Sequence, residues 1–416
     1  MIPTFRPLAL LLLAGGFSSV RAQDASLPTR PITPPRIWGA DPRDLADVKQ
    51  KLGAGDPRWV DRTHRLRVMA AKLAKESPVS VVDKPWIPAG GNEHDYVSLA
   101  RYYWPDPTRP GGKPYLRRDG QTNPEIERFD EPKLARMSDR VATLALAYYL
   151  TDHEPFAEQA ARQVRTWCLD PATRMNPNMK FAQFVPGRND GRGAGILDAR
   201  ELMEVADAVG MIQGSPAWTS ADDAGVKEWF RSLLRWLRTS EPGRSEAAAR
   251  NNHGTWYDAQ ICHYALFTGD LSAARQRLEE VKRSRIARQI EPSGAQPEEL
   301  KRTTSFDYSV FNLEALFALA TLARPLGIDL WNYETADGRS LGRAVAYLVP
   351  SASGAAAWPH EQIHEPKTLN CGFMLRRAAK NLRQPPDRRV ADELIRRAVK
   401  LDNRDFLYPD WTTPAR

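Results

Sequence analysis

A chain of 416 residues with 42% hydrophobic side chains is long enough for one large domain or two ordinary ones, and it can bury a sizeable core, which excludes a disordered protein. Lys plus Arg outnumber Asp plus Glu by 59 to 51, a formal net charge of +8 that suits a polyanionic partner. No compact Lys/Arg run marks nucleic acid as that partner, and three widely spaced cysteines, Cys168, Cys262 and Cys371, exclude a disulfide framework.

In chain order, the short basic start Met1–Arg6, the apolar run Pro7–Phe17 and the small-residue site Val20-Arg21-Ala22 predict a signal peptide over 1–22, cleaved after Ala22. The protein is therefore expected in the periplasm or outside the cell. The apolar run is too short to cross a bilayer, and no later stretch reads as a membrane span. A Pro-rich arm is expected over 23–45, and a single helical domain over 46–416.

From Pro42 onward, apolar residues recur at helical spacing: Leu45, Val48 and Leu52, then Trp59, Leu66, Met69 and Leu73. Lys84–Pro124 breaks the pattern with Pro, Gly and aromatic residues, and a loop of this length inside a compact chain is usually functional. Helical hairpins are then predicted over Leu134–Leu150 with Phe156–Cys168, Leu197–Ile212 with Val226–Leu237, and Trp256–Phe267 with Ser272–Ile290. Two further pairs are Phe311–Ala323 with Leu341–Val349, and Leu369–Leu382 with Arg389–Val399. Repeated hairpins without strand alternation predict an all-α fold: an incomplete (α/α) toroid of helical hairpins whose long loops gather at one end to form a substrate groove.

The most chemically dense stretch is Arg250-Asn251-Asn252-His253-Gly254-Thr255-Trp256-Tyr257-Asp258. Asn donates hydrogen bonds without charge, neutral His accepts a proton, and an aromatic ring offers a flat face to a sugar. The same residues also suit a helix start capped by Asn251 or Asn252. A second stretch, Gln296–Ser309, holds Arg302 and Tyr308. A guanidinium can pair with a carboxylate through two parallel bonds, and a phenol beside a cation is expected to lose its proton more readily. Cleaving a uronic acid polymer without water requires neutral or cationic groups at the carboxylate, a base at C5 and an acid at the oxygen leaving C4. Asn252, His253, Arg302 and Tyr308 cover these needs.

Asn251-Asn252-His253 before an aromatic helix, followed by Pro297-x-Glu299-x-x-Arg302 and Tyr308, resembles the alginate lyase superfamily of polysaccharide lyases, which includes alginate and glucuronan lyases. The resemblance runs from about Asp83 to Gln362, through His94-Asp95-Tyr96, Arg118-Asp119-Gly120 and Asn176-Pro177-Asn178. It implies β-elimination on alginate, polymannuronate or glucuronan. Asn252 and Arg302 would neutralise the uronate carboxylate, Tyr308 would be the acid and in some substrates also the base, and His253 the base or a charge-neutralising group. Asn251, Trp256, His94, Tyr96, Tyr103, Arg118, Gln183, Arg192, Glu299 and His360 are the expected substrate contacts. The interval from Arg302 to Tyr308 is one residue shorter than in the alginate lyases of this type. No cofactor or metal is expected, and the expected partner is the anionic polysaccharide alone.

Three other readings compete. His360-Glu361-Gln362-Ile363-His364 spells the zincin motif, yet Pro359 and Pro366 leave room for barely two helical turns. Glu298, Glu299 and Asp307 suggest the carboxylates of a glycoside hydrolase on a helical toroid. A toroid that binds polyuronate without turning it over would show the same basic charge. The Gly/Arg segment Gly187–Gly193 lacks the strand and helix of a nucleotide loop and reads as a groove wall.

Overall fold

The computed structural model describes residues 32–398 and 402–410, so the expected signal peptide and residues 23–31 of the Pro-rich arm lie outside the described residues. From residue 32 the arm lies against the helices. Asp207 accepts the backbone N–H groups of Trp38 and Gly39 at 2.7 and 2.9 Å. Helices α1 (Pro42–Gly53) and α2 (Pro57–Leu73) follow, each with an Asp cap and a proline in its first turn. Both devices suit the orphan N–H groups of a helix start.

The long segment before α3 (Glu131–Thr151) carries little regular structure. Strand β1 (Val97–Leu99) pairs in parallel with β4 (Phe181–Phe184), and β2 (Tyr103–Trp104) pairs antiparallel with β3 (Leu116–Arg117). Strand content is thus confined to the loops, as expected. Helix α4 (Glu154–Val164) completes the first hairpin, and α5 (Leu202–Ile212) and α6 (Ser220–Thr239) form the second. Next come α7 (Glu241–Ala247), α8 (Asn252–Thr268), α9 (Leu271–Val281) and α10 (Ala287–Gln289). The chain continues with α11 (Pro297–Leu300), α12 (Ser305–Ala323), α13 (Leu341–Ala352), α14 (Cys371–Asn381) and α15 (Arg388–Arg397). Helix α7 falls in a polar stretch where no helix was predicted. Helix α12 begins six residues before the expected start at Phe311 and so takes Tyr308 into its first turn.

Helix α8 packs on α6, α9 and α12, while α3 packs on α2, α4 and α5. A helix enclosed by neighbours needs apolar or small residues around its whole circumference, not along one stripe. That explains α12. Together with the helical turn that follows it to Leu326, it is long and apolar enough to cross a membrane, contrary to the sequence expectation, yet 67% of its apolar 18-residue window is buried inside the protein. One contiguous core runs from Ile37 to Phe406, and each fully buried large side chain in it, such as Trp59 or Phe317, contributes about 1.5–3 kcal/mol relative to exposure. All three cysteines are buried and free.

Candidate active site

The chain reverses between α7 and α8 in four residues. Asn251 caps α8, its side-chain oxygen accepting the His253 N–H at 3.2 Å, so the N-cap half of the sequence reading holds. Arg285 braces the turn from behind. It donates to the carbonyls of Ala247 and Ala249 and pairs with buried Asp258 at 2.8 Å. Gly254 is required here, because a Cβ would stand 2.1 Å from the Ala249 carbonyl and 2.4 Å from the Arg285 guanidinium.

Asn252 is fully buried. Its backbone N–H and its side-chain amide both donate to the Glu299 carboxylate, at 2.6 and 2.7 Å. Burial pushes Glu299 up to about 7, against the lowering effect of those two bonds. Both Arg302 and His253 lie close enough to stabilise its charge. Glu299 is therefore the hinge of the site: it joins the Asn-Asn-His turn to the α11–α12 segment, two stretches that the sequence kept apart. It serves as a brace for Asn252, and its burial excludes the direct substrate contact expected of it.

His253 is 21% exposed, with Nδ1 2.7 Å from a Glu246 carboxylate oxygen on α7 and Nε2 without a hydrogen bond among the described residues. Arg302, at 12% exposure, forms a two-pronged pair with Asp119, Nε at 3.0 Å and a terminal nitrogen at 2.6 Å. Burial raises the Asp119 carboxyl, but the guanidinium outweighs it and brings the group down to about 2. The same guanidinium stacks 3.6 Å from the centre of the Tyr308 ring. Tyr308 donates to the Tyr102 hydroxyl at 2.8 Å. Burial, then Tyr102, push the Tyr308 phenol well above its usual range, and Arg302 opposes them only in part. The expectation of an easily ionised phenol is thus corrected. Tyr308 rests protonated because removing it from water outweighs the neighbouring cation.

Beside this cluster, Arg192 donates to the side-chain and backbone oxygens of Gln183 at 2.9 and 3.2 Å, and its guanidinium lies 5.2 Å over the Tyr103 ring. Gln183 holds a left-handed backbone, φ 49°, rare for a residue with a Cβ, and passes its amide N–H to buried Asp198 at 2.9 Å. Burial and then Glu131 raise Asp198 to about 6, against hydrogen bonds from Ser98 and Gln183. Tyr96 is also corrected. It has no exposed surface, and its hydroxyl donates to Asp198 at 3.1 Å, so it belongs to the support of Gln183 and cannot touch a sugar.

The remaining expected contacts divide. Arg118 is exposed and lies 5.4 Å over the Trp104 ring on the β2–β3 hairpin. Trp256 is half-buried beside Phe311, 5.2 Å between ring centres, one turn into α8. His360 bonds the Tyr347 hydroxyl at 2.6 Å in a loop that pairs with Thr304 through Gln362 and so flanks the start of α12. His94 bonds the Arg174 carbonyl at 2.7 Å. The zincin reading fails on geometry: residues 360–364 form a loop, so the two histidines do not stand one turn apart on a helix. The glycoside hydrolase reading fails likewise, since Glu298 pairs with Lys301 and Asp307 caps the Lys367 N–H. Four contributors were missed in the sequence: Glu246, Tyr102, Asp119 and Asp198. Asp119 and Tyr102 lay inside stretches already singled out, whereas nothing local distinguishes Glu246.

A model of the alginate lyase family matches residues 80–358. The chain belongs to the alginate lyase family. It is accordingly a polysaccharide lyase, and its ring of hairpins is an (α/α) toroid. A solved alginate lyase from Bacteroides ovatus is similar over 91% of this chain and 100% of its own, at 37% identity and a TM-score of 0.86. A variant of alginate lyase A1-III complexed with tetrasaccharide has 18% identity and a TM-score of 0.57, over 85% of this chain and 94% of its own. Alginate lyase A1-III from Sphingomonas species A1 has 17% identity and a TM-score of 0.51, over 83% and 94% of the two chains. These last two share the fold alone. No functionally curated protein matches the lyase.

Proposed function

We propose that this lyase cleaves alginate by β-elimination, with His253 as the base at C5 and Tyr308 as the acid at the leaving oxygen. The observation that carries the reading is the junction at Glu299, which draws Asn252, His253 and the Arg302–Tyr308 stack into one cluster. In the reaction the C5–H bond breaks, with the proton passing to His253 Nε2. Its electrons form the C4=C5 double bond, and the C4–O bond breaks as Tyr308 protonates the departing oxygen. Charge that spreads onto the C5 carboxylate meets the cation of Arg192 and the remaining N–H groups of Arg302, whereas Asn252, expected to share that work, has no exposed surface and instead ties the turn that carries His253 to Glu299.

Division of labour between two residues suits guluronate, whose C5 proton and C4 oxygen lie on opposite faces of the ring. Mannuronate and glucuronate present both on one face, where a single tyrosine would serve twice, and a phenol held protonated by burial is a poor starting base. We therefore assign guluronate-containing alginate as the preferred substrate, ahead of polymannuronate and glucuronan, and export through the expected signal peptide as the route to it. Purified lyase is incubated with polyguluronate, polymannuronate and glucuronan, and the ultraviolet absorbance of the new C4=C5 bond is followed. A faster rise on polyguluronate is expected. No rise on any of the three removes the elimination chemistry, and a faster rise on polymannuronate returns both roles to Tyr308. N-terminal sequencing of the exported protein should begin at Gln23.

A further inference from the structure

We propose that Glu246 is a positioning residue of this lyase: it fixes the His253 ring and its tautomer so that the Nε2 lone pair, not an N–H, faces the substrate. The inference rests on the reading of His253 as the C5 base and adds to it a residue that no sequence signal marks.

The geometry leaves little freedom. Glu246 Oε1 lies 2.7 Å from His253 Nδ1, and the Glu246 side chain is 5% exposed. An ionised carboxylate only accepts hydrogen bonds, and a neutral imidazole carries one N–H. That N–H therefore sits on Nδ1, and Nε2 keeps its lone pair. Both partners are anchored. The Arg285 guanidinium ties the end of α7 to α8 through the Ala247 and Ala249 carbonyls, and the Asn251 side chain fixes the His253 backbone. On its other side α7 is pressed against Gly193, where a Cβ would come within 2.8 Å of the Pro242 carbonyl and 3.3 Å of the Glu246 nitrogen. Arg192 is close enough to feel the Glu246 charge, so one buried carboxylate holds the base and faces the cation that meets the uronate. When His253 takes the C5 proton, the resulting imidazolium already stands in a 2.7 Å pair with a carboxylate. An orienting carboxylate on a catalytic histidine is worth about 10²- to 10⁴-fold in turnover, because its loss lets the ring adopt the wrong tautomer.

Two measurements decide the matter. The first uses the wild-type lyase with ¹⁵N-labelled histidine, and the His253 signals are assigned by their loss in His253→Asn. Long-range ¹H–¹⁵N correlations should show a protonated Nδ1 and an unprotonated Nε2. The second is steady-state kinetics of Glu246→Gln on alginate, where kcat should fall about a hundredfold or more while KM moves less than about threefold. A reversed tautomer in the wild type, or a folded Glu246→Gln enzyme with the wild-type kcat, overturns the assignment. The tautomer measurement needs no variant of Glu246, so a failure of that variant to fold does not protect the inference. Failure of the underlying reading is seen separately, as a wild-type lyase that yields no unsaturated product.

Discussion

Tyr308 and Tyr102 share one hydrogen bond, yet only one of them is assigned chemistry, which makes the pair a sharp test. In Tyr308→Phe the ring keeps its place 3.6 Å beneath the Arg302 guanidinium and only the hydroxyl is lost. One hydroxyl–hydroxyl bond is removed, at a cost of about 0.5–1.5 kcal/mol in stability. Tyr102→Phe removes the same bond from its other end and should cost about the same. Catalysis separates them. Loss of a general acid lowers turnover about 10²- to 10⁴-fold, or about 2.7–5.4 kcal/mol of barrier, whereas loss of its hydrogen-bond partner leaves the acid in place. Turnover is read as the initial rise in ultraviolet absorbance on alginate, stability as the urea midpoint, and substrate affinity as the calorimetric affinity for an alginate oligosaccharide. The expected pattern is equal stability, retained binding and turnover that collapses only in Tyr308→Phe. If Tyr308→Phe keeps more than about a tenth of wild-type turnover, or if Tyr102→Phe loses as much, the assignment of the acid is wrong.

Asp119→Ala strands the Arg302 guanidinium at 12% exposure without its carboxylate. Breaking a fully buried pair costs about 3–5 kcal/mol, and the partial exposure of this one reduces that to about 2–3 kcal/mol, visible as a lower urea midpoint at pH 7. Arg192 makes no ion pair among the described residues, so Arg192→Ala should raise KM on alginate about tenfold to hundredfold, with a smaller change in kcat and a shallower salt dependence. Glu299 supplies a pH test. Its folded value of about 7 lies above that of an unfolded carboxyl, so the folded state holds the proton more tightly; this contribution to stability is full below about pH 4.3 and is lost as pH rises through about 7. Wild-type stability measured against Glu299→Gln should therefore decline by about 3 kcal/mol between pH 4 and 8, and a flat difference would show that Glu299 is not held neutral by burial.

The toroid was legible because its signal is local. Periodic apolar residues mark each helix, and the prolines around His360–His364 already argued against a zincin helix. The Asn-Asn-His turn was legible by chemical density, and Arg302 and Tyr308 by the need for a cation and an acid. What escaped depends on pairs distant in sequence. Asp119 and Arg302 are 183 residues apart, Tyr102 and Tyr308 206, and nothing near either partner announces the other. Tyr96 shows the converse. Its neighbours His94 and Asp95 suggested a binding surface, but pairing of β1 with β4 turns the tyrosine inward onto Asp198. The phenol of Tyr308 was misjudged for a related reason, because a sequence shows the cation beside it and not the burial that outweighs it.

The pattern of partners explains how a basic protein can hold so acidic a catalytic centre. Arg302 is matched by Asp119, His253 by Glu246 and the Asn252 amide by Glu299, while Arg192 leans on a neutral amide that Asp198 orients. A site of uncompensated cations would bind polyuronate tightly before and after reaction alike, and such uniform binding does not speed the chemical step. Carboxylates that brace the reacting groups cancel much of that ground-state attraction and leave oriented N–H and O–H dipoles for charge that develops only as C5 loses its proton. Burying them is costly, as the raised values of Glu299 and Asp198 record. Stability is thereby given up where catalysis needs rigidity, so neutral replacements at these two braces should stabilise the fold at alkaline pH while slowing elimination.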